Sequence, residues 1–232
     1  MLQLDPAPKI ITFDCYGTLV QWHRALRAAA LAIISRHLGE VEAANQAAAL
    51  ANRLRVVAAT QQERPPFRSY KSVLRSSLVE TLAETGYNTT MDDQETLLSI
   101  LRRIEPHPEV PAALDRLHAR YRLAIISNTD DDLIAGTVAA IGTPLDFVIT
   151  AQQAQAYKPD HRLFLHAYSA MGVTKDETVH VGMGQFTDLK VCHELGVRSV
   201  WIDRVGDPPN PDWPPHAVLD DLSGLPELLL PS

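Results

Sequence analysis

Cysteine is almost missing: the 232-residue chain has two, Cys15 and Cys192. They lie far apart and outside any CxxC spacing, which excludes a disulfide framework or a thiolate metal site and suits a reducing compartment. Basic excess is missing too. Against 28 Asp+Glu stand 21 Lys+Arg, a formal charge of -7, with no lysine- or arginine-rich run, so no footprint for a nucleic-acid backbone is offered. Apolar stretches such as 28–34 fall well short of the ~20 residues that span a bilayer. The opening Met1-Leu2-Gln3-Leu4-Asp5 lacks the basic-then-apolar order of a secretory signal. No repeat of solenoid length occurs, and the nine histidines show no HExxH or paired ligand spacing. The expectation is a soluble, cytoplasmic protein with no nucleic-acid or membrane partner.

What is present is an ordinary globular composition, 46% hydrophobic and 21% charged, sufficient for a buried core. Five short apolar, β-branched runs, 9–13, 122–126, 147–150, 178–181 and 199–202, read as strands. Helical patterns at 111–120 and 162–171 separate later ones, and this alternation predicts an α/β fold, a doubly wound, Rossmann-like parallel sheet. Residues 21–105 interrupt it with alanine- and leucine-rich helical patterns at 23–37, 42–59, 70–84 and 92–103. The expected division is a catalytic core of residues 1–20 and 107–232 with an inserted helical domain, 21–106. Residues 21–105 carry 11 Lys+Arg against 9 Asp+Glu, a balance of +2 that leaves -9 for the remainder. Asp130-Asp131-Asp132 reads as a solvated helix start, and the proline-rich 207–215 as a rigid surface loop.

In an open α/β sheet, ligands sit beyond the carboxyl ends of the strands. The first run delivers Asp14, Tyr16 and Thr18, the second Ser127 and Asn128; Lys158 follows the third and Asp188 the fourth. A carboxylate nucleophile, an ammonium and several hydrogen-bond donors are thereby brought to one edge. The blocks Phe13-Asp14-Cys15-Tyr16-Gly17-Thr18-Leu19-Val20, Ile126-Ser127-Asn128-Thr129 and Tyr157-Lys158-Pro159-Asp160, followed by Asp188, resemble the haloacid dehalogenase superfamily in order and spacing. The resemblance spans about residues 9–204, and the helical insertion is similar to that family's cap domain.

Within the superfamily, phosphatases carry a general-acid aspartate two positions after the nucleophile and a magnesium-binding aspartate where this chain has Met183. Here the first position is Tyr16, a phenol too weakly acidic for that task, and a thioether is the wrong donor for a hard cation. Both departures are similar to the metal-independent L-2-haloacid dehalogenase (type II) branch. That resemblance implies no metal and no cofactor, a small anionic carboxylic acid as substrate and a homodimer. Asp14 would displace halide to form an ester, which water then hydrolyses to a 2-hydroxy acid. Lys158, Thr18, Ser127 and Asn128 would orient or offset charge, and Asp188 would position Lys158 or the water. Substrate contacts are assigned to Tyr16, Trp22, Arg55 (with Arg53 close behind), Tyr70, Phe164 and Gln185. Phe164 stands where better-known dehalogenases have a tyrosine, and Gln185 near an expected asparagine. Other readings remain: the same attack with an amine leaving group, as in opening a strained cyclic amino acid; a magnesium-dependent phosphatase; or a non-catalytic binding relative.

Overall fold

The computed structural model describes residues 5–230, so the Met1–Leu4 segment used in the leader reading lies outside it. Six strands form one sheet: β1 (Ile10–Phe13), β2 (Arg122–Ser127), β3 (Phe147–Thr150), β4 (Thr178–Gly182), β5 (Ser199–Ile202) and β6 (Ala217–Leu219). The helices are α1 (Trp22–Ile34), α2 (Glu40–Gln62), α3 (Tyr70–Glu84), α4 (Met91–Leu101), α5 (Val110–His118), α6 (Asp131–Ile141), α7 (Ala151–Ala154), α8 (His161–Met171), α9 (Lys190–Leu195) and α10 (Leu225–Leu229). They divide between two compact units. One runs up to Val20 and takes in Pro106–Asn128 and everything from Ile141; the other comprises Gln21–Glu105 and Thr129–Ala140.

In the first unit all pairings are parallel, in the order β3-β2-β1-β4-β5-β6. Every residue of β1, β4 and β5 is buried, as expected for strands covered on both faces. The chain steps outward from β1 to β3, returns across the sheet, and steps the other way from β4 to β6, so the winding reverses between β1 and β4. That reversal opens a crevice at their carboxyl ends. Phe13 pairs with Ile125 on one side and Val181 on the other, so Asp14 emerges at the crevice, its N–H still bonded to the Val181 carbonyl at 2.9 Å. The sixth strand, only partly buried, escaped the sequence reading because three residues after a proline-rich loop carry little period.

The second unit is helical throughout. Its α1 presents Trp22, Leu26, Ala29, Ala30, Ile33 and Ile34 on one buried stripe, and α2 answers largely with alanines. Helix α4 starts with a reciprocal cap in which the Thr90 hydroxyl accepts from Asp93 N–H (3.1 Å) while the Asp93 carboxylate accepts from Thr90 N–H (2.9 Å). Helix α6, which strand–helix alternation assigns to the core, joins this unit. A Cβ at Gly136 would lie 2.1 Å from the Arg102 carbonyl oxygen, so glycine alone permits that approach. Asp130 corrects the expectation of a solvated helix start. It is fully buried, and its carboxylate accepts from Tyr70 N–H (2.8 Å) and Lys71 N–H (2.9 Å), capping α3 from another part of the chain. Asp131 and Asp132 are exposed, the latter paired with Lys71. No described helix is long and apolar enough to cross a membrane.

Candidate active site

At the crevice, Lys158 Nζ donates to Asp14 Oδ1 (2.8 Å), Asp188 Oδ1 (2.6 Å) and the Ile126 carbonyl (2.9 Å). All three protons of the ammonium are thereby used. The Thr18 hydroxyl donates to Asp14 Oδ2 at 2.8 Å and accepts from Met183 N–H at 2.9 Å, so the Met183 amide fixes the direction of the Thr18 proton. Arg204 grips the same turn, donating through Nε and Nη2 to the Thr18 carbonyl while pairing with Glu109. Asn128 clamps the backbone of Lys158 at both ends, Oδ1 accepting its N–H (2.7 Å) and Nδ2 donating to its carbonyl (3.0 Å).

After β4 the chain makes a π-helical turn, Gln185–Leu189, that folds the Asp188 carboxylate back over the strand. A Cβ on Gly182 would come within 2.8 Å of the Asp188 side chain, so the turn needs glycine there. Asp188 Oδ1 accepts from Lys158 and from His180 Nε2 (3.2 Å), and Oδ2 from Gly184 N–H (3.1 Å) and the Thr187 hydroxyl (3.0 Å). Its acceptor sites are filled. Asp14, with one donor on each oxygen from these two side chains, keeps lone pairs to spend on a reacting carbon. It is also the most exposed of the three charged residues, at 8% against 3% for Lys158 and 1% for Asp188.

Burial pushes the Asp188 carboxyl up, but Lys158 and the His180 hydrogen bond outweigh it and hold Asp188 well below the usual carboxylate range. Burial raises Asp14 as well; Lys158 opposes this only in part and the Asp188 charge adds to it, leaving Asp14 above the usual range. For Lys158, burial works against the ammonium and the two carboxylates overcome it, so the amine stays protonated. The trio therefore divides into an ammonium and a carboxylate whose charged forms the surroundings favour, and a second carboxylate, Asp14, whose charged form burial disfavours. An ammonium held in its charged form is poorly suited to abstract a proton.

Of the residues singled out in the sequence, Asp14, Thr18, Lys158, Asn128 and Asp188 converge in one hydrogen-bonded cluster. Ser127 ends β2, almost wholly buried, its hydroxyl without a hydrogen-bond partner. Phe164 and Gln185 have side chains engaged by other parts of the sheet unit. Phe164 is fully buried on α8, edge-on to His180 at 4.9 Å and to Tyr168 at 6.2 Å, so its ring is committed to the core. The Gln185 amide pins the proline-rich loop, donating to the Pro208 carbonyl (3.0 Å) and accepting from Asn210 N–H (2.6 Å). In the helical unit Trp22 and Tyr70 pack on one another, ring centroids 6.4 Å apart. Arg55 donates to Asn52 at 3.0 Å and, with His23, Leu26, Arg27 and Ala51, lines a cleft of about 200 Å³ between α1 and α2. Arg53 instead pairs with Glu84. Tyr16, half-buried, follows Asp14 within the same turn. Sequence reasoning missed His180 and Arg204. A histidine inside the apolar run Val179-His180-Val181 was the available signal for the first, since a fully buried imidazole requires partners.

The donor set does not suit a magnesium ion. The cation between Asp14 and Asp188 is the Lys158 ammonium, and Met183 offers a thioether where a hard cation needs oxygen. Among the described residues no group of three or more His, Cys, Asp or Glu side chains is arranged to hold a metal.

Residues 8–196 match the model of the haloacid dehalogenase-like hydrolases. The chain belongs to this family. It is similar to (S)-2-haloacid dehalogenase 4A of Burkholderia cepacia, with 26% identity over 208 residues covering 88% of this chain and 86% of that one. It is 33% identical over 160 residues to phosphoserine phosphatase of Thermus thermophilus, covering 68% of this chain and 63% of the relative. The L-2-haloacid dehalogenase of Xanthobacter autotrophicus, solved with chloropropionic acid covalently bound, shares the fold at a TM-score of 0.82 and 21% identity, over 95% of this chain and 98% of that one. The protein is thus an enzyme of the haloacid dehalogenase-like hydrolase type.

Proposed function

We propose that the protein hydrolyses short L-2-haloacids through an ester on Asp14, giving a 2-hydroxy acid and halide. One observation carries this reading: a carboxylate at the β1 edge, held on both oxygens by Lys158 and Thr18, with Tyr16 rather than a carboxylic acid two residues on. Halide departs with its bonding pair and needs no proton, so a site without that acid is at no disadvantage; a phosphate ester, whose alkoxide must be protonated, suits it poorly. The curated relative from Burkholderia cepacia and the covalent adduct in the Xanthobacter protein support the same chemistry.

An Asp14 oxygen attacks carbon 2 opposite the carbon–halogen bond, forming a carbon–oxygen bond as halide leaves and inverting that centre. The Ser127 hydroxyl, buried and unpaired, is available to the substrate carboxylate or the ester oxygen. Water then adds to Asp14 Cγ. With Oδ2 as the attacking oxygen, the negative charge that develops on Oδ1 is met by the donor already in place there, Lys158 Nζ, while the Thr18 hydroxyl remains beside the ester oxygen. Cleavage of the acyl–oxygen bond releases the hydroxy acid with an original Asp14 oxygen, one proton of the water passing to that oxygen and the other to solvent, and leaves the water oxygen on the Asp14 carboxylate. With its acceptor sites filled, Asp188 serves to hold Lys158 rather than to activate that water.

The test is halide release from racemic 2-chloropropionate in the presence of chelator, paired with a single turnover in water labelled with heavy oxygen. Release of halide, with label in the peptide containing Asp14, is the expected result. Failure with chloro-, bromo- and fluoro-substituted short acids alike overturns the substrate, and label confined to product overturns the ester.

A further inference from the structure

His180 is fully buried on β4 and takes no direct part in the chemistry above. Its surroundings are defined on every side. Thr12 of β1 lies beneath one ring nitrogen, with Thr12 Oγ1 2.9 Å from Nδ1; Ser199 of β5 is its strand neighbour, with His216 beyond it; and Phe164 of α8 packs on the ring. The other ring nitrogen, Nε2, faces Asp188 Oδ1 at 3.2 Å, the oxygen that also takes the Lys158 proton.

Two proton arrangements satisfy these contacts. Either a neutral ring receives the Thr12 hydroxyl proton on Nδ1, or a doubly protonated ring donates Nδ1–H to Thr12, whose own proton turns to the Val179 carbonyl at 3.3 Å. Both put a proton on Nε2, because the remaining tautomer would set a bare nitrogen lone pair against a carboxylate. The Asp188 carboxylate therefore selects the forms of the ring that carry a proton on Nε2, and the Thr12 hydroxyl accommodates either of them.

We propose that His180 is a positioning residue: by donating Nε2–H to the oxygen that Asp188 shares with Lys158, it keeps the ammonium directed at Asp14. Without that donor, Asp188 Oδ1 leans on Lys158 alone and draws the cation from the nucleophile, weakening the polarisation of the Asp14 carbonyl when water attacks. The kinetic side of this inference rests on the dehalogenase reading. The electrostatic side does not, because removing a donor from a buried carboxylate raises its proton affinity whatever the substrate. The titratable groups around Asp188 are Lys158, Asp14, His180 and, on α9, Cys192.

The experiment is carbon-13 carboxyl NMR titration of Asp188 and Asp14 in the full chain, for the parent, His180→Leu and His180→Gln, together with kcat and KM for halide release. In His180→Leu the Asp188 midpoint is expected to move upward, and kcat to fall about tenfold or more with KM changed by less than about threefold. His180→Gln, which returns an N–H near the Nε2 position, is expected to restore both. An unchanged Asp188 midpoint in His180→Leu, or in His180→Met should the leucine variant not fold, overturns the inference. So does a rise in KM at constant kcat. A parent that releases no halide overturns the dehalogenase reading instead, and the carboxyl titration still decides the role of His180.

Discussion

The two units hold their candidate residues by opposite means. In the sheet unit, Asp14, Lys158 and Asp188 are fixed by side-chain and backbone hydrogen bonds to one another and to their surroundings, some of them from residues distant in sequence, and all three are buried. In the helical unit, Trp22 and Tyr70 are held by packing at the first turns of α1 and α3, and Arg55 meets only a neighbour on its own helix among the bonds described. On the proposed reading, the groups assigned to bond chemistry are preorganised at a cost in burial, whereas those assigned to the substrate are placed by packing or, for Arg55, by a bond within its own helix.

That contrast is broken most severely at Asp14, the proposed nucleophile. Asp14→Asn is expected to lower halide release by at least about 10⁴-fold in steady-state assays. Thermal stability should be kept, because burial of the ionised Asp14 works against the folded state. Next comes Asp188→Asn, which leaves a buried ammonium short of one of its two anions and should cost about 3 kcal/mol in urea unfolding. Its pH dependence has a definite sign. Because Asp188 is depressed in the folded state, its stabilisation is present above the ordinary carboxylate range and lost as pH falls through the folded value; stability of the variant should therefore fall less steeply on acidification than that of the parent. Ser127→Ala is expected to reduce kcat/KM by roughly 10–100-fold while leaving the urea midpoint unchanged or slightly higher, since it removes a buried hydroxyl with no partner. The smallest effect tests the other side of the comparison. Arg55→Ala should raise KM by about tenfold with kcat within about threefold, and the neighbouring Arg53→Ala, which breaks an exposed ion pair with Glu84, should change neither. A large loss of kcat in Arg55→Ala would erase the contrast between the two units.

The alternation of apolar runs with helical patterns is enough to read the parallel sheet, and Asp14, Thr18, Asn128, Lys158 and Asp188, each following one of the strands, are enough to read the hydrogen-bonded cluster, because both rest on local patterns. What escaped depends on where a side chain points. Asp130, within a run of three aspartates, looks like any solvated helix start, yet it caps α3 some 60 residues back in sequence. Asn128 was legible as a site residue but not as a clamp on the Lys158 backbone, a bond made between loops. Gln185 and Phe164 occupy the expected positions in the chain while their side chains are engaged elsewhere, one by the proline-rich loop and one by His180.

The shared use of residues 129–140 bears on modularity. A chimera that replaced 21–105 with the corresponding helices of a relative would look, on paper, like the exchange of a self-contained insert. It would strand Asp130, fully buried, without the two N–H groups it caps, and would set a foreign chain against the bare face of Gly136. Any graft that is to fold must carry the segment following β2 along with the helices, so the transplantable piece of this protein is discontinuous in sequence.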